Sequence, residues 1–417
     1  MSKNDNIRQF NKNYKKKNSS RTRRSRTVSV PAVIFILIFT LCLVFAYREM
    51  LRHKDPQGNT TDVYLAATSY ITGKFIYYGD SEIPQERDEI YVLYNLLSDA
   101  DKQVYNLFID LVEHRNGEKY TNGIIISEDQ KNQLDPNHFW HIYYSMIYDH
   151  PEYFFLLSSP DMLDCHYYTK DSYLTYVYMI RAETTTEAQQ IKAFNAATTE
   201  FMKEIDSGLP DDKKELAIHD KLISMVSYDY DLYKRTDTEN SRYDLGYFAY
   251  GALVSDSSGN PNHAVCNGYS LAFEYLCQLA GIPCCVVSGD AYHIPPSPDQ
   301  DAGGHAWNVV RINGHWLEVD TTWDDKEYTE SNESLDLNIY KLLQKDSEKF
   351  YNYLHHFYNR ATAEMEYLSA TEDTVFYIDG YSPYNPVTDT AHIRATSPTA
   401  TADDNDVFRN KLIPVAE

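Results

Sequence analysis

Basic residues are under-represented in this 417-residue chain: 38 Lys and Arg stand against 61 Asp and Glu, a formal net charge of −23. Such a balance lacks the basic footprint that broad nucleic-acid binding requires, so no nucleic-acid partner is expected. Tryptophan is also rare, with 4 residues, whereas tyrosine reaches 37. Tyrosine suits half-buried positions and wet grooves alike, so its excess does not separate a core from a binding surface. No internal repeat is present, which argues against a repeat array. His293, His315, His355 and His356 show no metal-ligand spacing with cysteine or acidic partners, and neither metal nor cofactor is expected. With 43% hydrophobic and 24% charged residues, the chain is neither an acidic disordered tail nor a collagen-like or low-complexity sequence. Its length allows two or three domains and a sizeable core.

The charge is unevenly divided. Residues 1–54 carry 13 basic and 2 acidic residues, or +11, and the remainder carries −34. Between the two regimes, residues 28–47 form a 20-residue run without a charge. At about 1.5 Å per residue such a run reaches across a hydrocarbon layer of about 30 Å. A single transmembrane helix acting as an uncleaved signal anchor is expected there. Phe45-Ala46-Tyr47-Arg48 lacks the small-residue pattern of a cleavage site, and Leu41 precedes Cys42 where a lipoprotein signal would place a small residue. Residues 1–27 read as a basic cytoplasmic arm by the positive-inside rule. Residues 48–62 read as a linker, and everything after them is expected outside the cytoplasm.

Residues 63–210 read as a mixed, mostly helical region. Ser98 can cap a helix carrying Val104, Leu107, Phe108 and Leu111 at helical spacing. Asp135-Pro136 opens a second helix with Phe139, Trp140, Tyr143 and Ile147. Tyr173 to Arg181 alternates as a strand. Helices are expected over Thr185 to Ile205 and Lys213 to Val226. From 371 to 417 the chain is rich in Pro, Thr, Ser and Asp, and an extended or disordered tail is expected.

The chemistry concentrates between residues 264 and 323. Cys266 opens a helix running to about Ala280, with Gly281 and Pro283 as its stop. At a helix N-terminus, unpaired N–H groups and the macrodipole stabilise a thiolate. Cys284-Cys285-Val286-Val287 reads as a buried strand. His305 to Ile312 and His315 to Trp323 flank Asn313-Gly314, a strong hairpin signal. A two-residue turn pairs Ile312 with His315, Arg311 with Trp316 and Trp307 with Asp320. His305, Trp307 and Asp320 then share one face, the first and last as diagonal neighbours at about 7–8 Å. Ala306, Val310, Ile312, Leu317 and Val319 form the opposite, core-facing side.

A thiolate-prone cysteine, a histidine and a carboxylate able to orient it form a nucleophilic constellation. Cys266, His305 and Asp320 are therefore the candidate catalytic residues. Trp307, Asn267 and Gly268 are candidate site-lining residues. Asn308 points to the other face and is read as structural. Asp324, Asp325 and Glu327 are read as a solvated acidic cluster. Whether Cys165, Cys277, Cys284 and Cys285 form disulfides stays open.

The segments A-V-C-N-G-Y-S-L-A-F, G-I-P, G-H-A-W-N-V-V and V-D-T-T-W-D-D, together with the upstream A-I-H-D-K-L, resemble the bacterial branch of the transglutaminase-like superfamily. The resemblance covers about residues 211–330. It implies an α+β, papain-like core with the cysteine on a helix N-terminus packed on an antiparallel sheet, within a domain taken as 211–370. It also implies a Cys266–His305–Asp320 triad acting on amide or peptide bonds through a thioester; hydrolysis is favoured over amine transfer because water is always available and nothing in the sequence marks an amine-binding site. The expected partner is a protein or peptide substrate, in part at the cell surface. The alternative is a catalytically silent module of the same fold that binds peptide or cell-wall polymer.

Overall fold

The computed structural model describes residues 71–417, except 81–83, 85, 116–119, 160–161, 171–172, 236–242, 256–261, 295–302, 326–344, 371–374, 379–381, 386 and 399–401. The basic arm, the apolar run 28–47 and the linker lie outside the described residues. Among the described residues no helix is long and apolar enough to cross a membrane. That finding corrects the expected architecture: the fold is mixed α+β, and the transmembrane helix is withdrawn from it.

In the N-terminal part, helices cover a four-stranded sheet. Strands β1 (Phe75–Tyr77), β2 (Tyr120–Ser127), β3 (Leu163–Lys170) and β4 (Tyr173–Ile180) form a sheet of order β1-β2-β4-β3. β4 is the strand that alternation predicts. β2 carries Asn122-Gly123, a turn-like pair, in its middle. Both residues are strand members for packing reasons. Asn122 donates to the Leu107 carbonyl at 2.8 Å and to Asp110 Oδ2 at 3.1 Å. A Cβ on Gly123 would lie 2.5 Å from the Phe75 ring. Helix α1 (Asp99–Glu113) begins at Ser98, whose side chain accepts from the Asp101 N–H, and buries Val104, Leu107, Phe108 and Leu111. Helix α2 (His138–Asp149) and helix α3 (Thr185–Met202), the latter opened by a Thr184–Glu187 capping box, complete this part.

Helix α4 (Asp211–Met225) leads into two short parallel strands, β5 (Val226–Tyr228) and β6 (Asn262–Ala264). β6 delivers the chain to helix α5 (Cys266–Leu279). Beyond it lies a four-stranded sheet built from β7 (Cys284–Ile294), β8 (Gly303–Ile312) and β9 (His315–Val319), with a fourth strand from the tail. The β8–β9 register pairs Ile312 with His315 and Arg311 with Trp316, as the hairpin signal predicts. Asn313 and Gly314 both take positive φ, 52° and 85°, the conformation of a type I′ turn. Ala306, Val310, Ile312 and Val319 join the main core, which also holds Tyr269, Phe273 and Leu276 of α5. The opposite face is apolar too, with Cys285, Val287, Trp307, Val309, Phe357 and Met365 in a second cluster.

The described residues of the tail are built into the fold. After a small hairpin of β10 (Phe376–Ile378) and β11 (Ser382–Tyr384), β12 (Asp389–Arg394) pairs antiparallel with β7, and helix α6 (Asp404–Leu412) follows. Its Asp and Thr residues are caps and ladder positions rather than signs of disorder. Asp403 accepts from the N–H groups of Asn405 and Asp406. Arg409 stacks 3.5 Å from the Tyr148 ring, and Asn410 donates to the Ser288 carbonyl at 2.6 Å. Residues 67–417 form one compact unit. Phe154 and Phe194 share a core with Phe248 and Phe273, so residue 210 is not a boundary in the packing.

Candidate active site

Cys266 is the first residue of α5, and its thiol is free and partly accessible. Two features fix that helix start. The Val265 N–H donates to the Gly246 carbonyl at 3.0 Å. Gly268 passes so close to the Gly246 loop that a Cβ there would lie 2.5 Å from the Gly246 oxygen and 3.1 Å from the Phe248 oxygen. Gly268 is thus a packing requirement that sets where Cys266 sits. Asn267 donates to the Tyr247 carbonyl at 2.7 Å and accepts from the Tyr148 hydroxyl at 3.2 Å.

His305 comes from β8 and Asp320 from the residue after β9. The Nε2 of His305 lies 2.6 Å from Asp320 Oδ2, and its side chain is 8% exposed. The Cys266 sulfur lies near enough to His305 to favour its charged form, and both residues line the same cleft. The three sequence candidates therefore form one chain of contacts, thiol to imidazole to carboxylate. Burial opposes a charge on His305, but the Asp320 carboxylate and the Cys266 sulfur outweigh it and push its pKa up to about 10. Burial likewise opposes a charge on Asp320. The His305 charge and hydrogen bonds from His305 and His392 outweigh it and hold the carboxyl well below its ordinary range. Asp320 also caps the turn Thr321–Asp324, with Oδ1 accepting from the N–H of Thr322 at 2.9 Å and Trp323 at 3.1 Å.

Trp307 is fully buried beneath the site, its ring 6.0 Å from that of His305 and nearly parallel. Its Nε1–H donates to Glu318 Oε2 at 2.6 Å, so it supports His305 and does not line open space. Asn308 donates to the Ser270 carbonyl at 2.9 Å, tying β8 to α5. Above Cys266 and His305 opens a cleft of about 990 Å³. One wall is Trp140, Tyr144, Tyr148 and Leu157 of the N-terminal part, and the other includes Tyr247 and Phe248.

Sequence reasoning missed two contributions. His392, on β12, places Nε2 2.9 Å from the same Asp320 oxygen that His305 uses. The N-terminal part supplies a cleft wall. The single available signal for His392 was the ladder-like Thr390-Ala391-His392-Ile393, inside a segment whose composition suggested no structure. Asp324 and Asp325, expected as solvated acids, are buried. Asp324 accepts from the Phe357 N–H at 3.1 Å, and Asp325 accepts from the Tyr269 hydroxyl at 2.6 Å. All five described cysteines are free. Two groupings bring three ligand-type atoms within 4.8 Å of one another: His305–Asp320–His392 and His219–Asp220–His355. Neither was visible as metal-ligand spacing in the sequence. Their N···O distances of 2.6 to 3.0 Å within each grouping are those of hydrogen-bonded pairs.

Residues 199–321 match the profile of the transglutaminase-like superfamily. The chain therefore carries a domain of that superfamily, in agreement with the motif resemblance. Kyphoscoliosis peptidase of Homo sapiens is 41% identical over 61 residues, 14% of this chain and 9% of that protein. Its Mus musculus counterpart is 39% identical over 61 residues, with the same shares. The chain thus matches only about a tenth of the length of these curated relatives. The crystal structure of a TGase is similar over 54% of this chain and 58% of its own, at 12% identity and a TM-score of 0.26.

Proposed function

We propose that the protein is a cysteine hydrolase of peptide amide bonds. The observation that carries this reading is the contact chain from Cys266, on a helix N-terminus, through His305 to Asp320. His305 takes the thiol proton, and the thiolate attacks the substrate carbonyl carbon, forming a C–S bond. The backbone N–H of Cys266 faces the developing oxyanion. The imidazolium then protonates the departing amine as the C–N bond breaks, leaving a thioester. His305 next removes a proton from water, which attacks the thioester and releases the carboxylic acid and the thiol. Throughout, Asp320 fixes the His305 tautomer and balances its charge.

The substrate is a polypeptide with a large apolar or aromatic side chain near the cleaved bond, a reading supported by the ring-lined cleft over Cys266. Hydrolysis is favoured over amine transfer because water needs no dedicated site, and the human relative is a peptidase.

The test is alkylation of Cys266 by iodoacetamide across pH, followed by incubation with aromatic and glutaminyl peptides with and without a primary amine. Expected are Cys266 reactivity at pH 6 well above that of a free thiol, release of carboxylic acid, and no amine incorporation. Reactivity equal to that of a free thiol sinks the enzyme reading, and amine incorporation would replace hydrolysis by transfer. Trp140→Ala should raise KM for aromatic peptides about tenfold with kcat little changed.

A further inference from the structure

We propose that His392 is a positioning residue of this site, its Nε2–H locking the Asp320 carboxylate so that one oxygen serves two imidazoles. The proposal deepens the catalytic reading and rests on it. Asp320 accepts four hydrogen bonds. Oδ1 takes the N–H groups of Thr322 and Trp323. Oδ2 takes Nε2 of His305 at 2.6 Å and Nε2 of His392 at 2.9 Å. A carboxylate held at both oxygens has no free rotamer, so the direction of its bond to His305 is fixed.

The tautomer of His392 follows from its surroundings. Its Nδ1 is buried and has no hydrogen-bond partner, so that nitrogen carries the lone pair and Nε2 carries the proton. Rings enclose the imidazole: Trp323 at 4.8 Å, Trp307 and Phe357 at 5.3 Å each, and His305 at 5.5 Å between centroids. The charged and titratable groups facing it are Asp320 and His305, with Glu318 behind them; His305 in turn faces Cys266. An apolar cage beside an imidazolium keeps His392 neutral. A neutral donor stabilises the Asp320 charge without cancelling it, which leaves that charge available to His305.

The sheet is built to allow the meeting. His392 pairs with Ala291 across β12 and β7, and His305 pairs with Gly289 across β7 and β8. On this face β7 therefore presents a methyl group and a hydrogen. A Cβ on Gly289 would already lie 2.9 Å from the Trp307 ring. Small residues on the middle strand let side chains of its two neighbours touch over it. Arg394, two residues along β12, reaches Glu318 of β9 at 2.6 Å and pins the strand. The C-terminal strand thus belongs to the active site, although it lies beyond residues 199–321.

The test uses the full chain, as wild type, His392→Phe and His392→Gln, with ring-nitrogen NMR of the histidines across pH and iodoacetamide alkylation of Cys266. In the wild type, His392 should appear as the neutral Nε2–H form from pH 5 to 9. Loss of a donor makes Asp320 more basic, so His392→Phe should move the His305 midpoint up by about half a pH unit or more. His392→Gln, which keeps an N–H donor, should restore it. An unmoved His305 midpoint in a folded His392→Phe chain overturns the proposal. So does a wild-type His392 found as the Nδ1–H form or as an imidazolium at pH 7, a result that needs no variant to fold. Failure of the catalytic reading appears separately, as ordinary alkylation of wild-type Cys266.

Discussion

Two clusters of nearly the same composition sit at either end of one helical turn, Thr321–Asp324. At its start, Asp320 is bonded to His305 and His392. At its end, Asp324 lies 3.3 Å from His219 Nε2, while Asp220 lies 3.0 Å from His219 Nδ1 and 2.7 Å from His355 Nε2. Both are histidine–carboxylate networks, the second with its Asp220 exposed, and both raise a histidine pKa: His305 to about 10 and His219 to about 9, in each case against the effect of burial. What differs is the neighbour. The first cluster faces the Cys266 thiol and opens to the cleft. The second faces Glu215, Tyr358 and Asn359, and it joins α4 to the segment after residue 345. A perturbed histidine is therefore no mark of catalysis by itself. On the function proposed above, the thiol and the cleft single out the first network for chemistry and leave the second to hold the fold.

The sharpest way to break this comparison is the same substitution at both ends of the turn. An asparagine at position 320 can still accept from Thr322 and Trp323 through its oxygen. Its NH2 cannot accept from His305 Nε2–H, so His305 flips to the Nδ1–H tautomer and can no longer take the Cys266 proton. Asp320→Asn should lower turnover about 1000-fold or more, measured as peptide hydrolysis. Asp324→Asn keeps the bond to the Phe357 N–H and loses the charge and the acceptor that face His219 Nε2. It should cost about 1–3 kcal/mol of stability in denaturant titration and leave alkylation of Cys266 unchanged. Equal loss of turnover in both variants would erase the distinction.

Gly268→Ala tests how far the catalytic end depends on backbone packing. The obstacles to the new methyl are the Gly246 oxygen, the Ala264 Cβ and the Phe248 oxygen, none of which can rotate away. A cost of about 2 kcal/mol is expected, together with slower alkylation as Cys266 shifts, read by thermal unfolding and labelling. A stable variant with unchanged labelling would show that the close approach to Gly246 does not set the thiol position.

The same contrast governs what could be read in advance. The hairpin face of His305, Trp307 and Asp320 was legible because a period of two and an Asn-Gly turn leave one register. Cys266 was legible because Gly281 and Pro283 mark the far end of its helix. Both signals are local. His392 meets Asp320 across 72 residues, and nothing local in a Thr- and Asp-rich tail encodes a partner at that distance. Asn122-Gly123, a turn-like pair, lies inside a strand because it packs against Phe75 and α1. Asp324 and Asp325 read as solvated because their partners, His219, Phe357 and Tyr269, arrive from other elements.

The gentlest test addresses the structural cluster through pH. Burial, partly offset by the Tyr358 hydrogen bond and by His219, lifts the Glu215 pKa from 4.5 to about 7. The folded chain therefore holds this proton up to about pH 7, whereas the unfolded chain releases it near 4.5. Between those values the native state binds more protons, so this group's contribution to stability is full below pH 4.5 and falls as pH rises to about 7. Glu215→Gln imitates the protonated side chain at every pH. Its unfolding free energy should lack that descent and exceed wild type by about 1 kcal/mol at pH 8, with the two chains alike at pH 4. Because Glu215 belongs to the end of the turn away from the thiol, alkylation of Cys266 should be the same in both chains. A descent of unchanged slope in Glu215→Gln would move the pH dependence elsewhere. Altered Cys266 labelling would mean that the two clusters communicate through the three residues between Asp320 and Asp324.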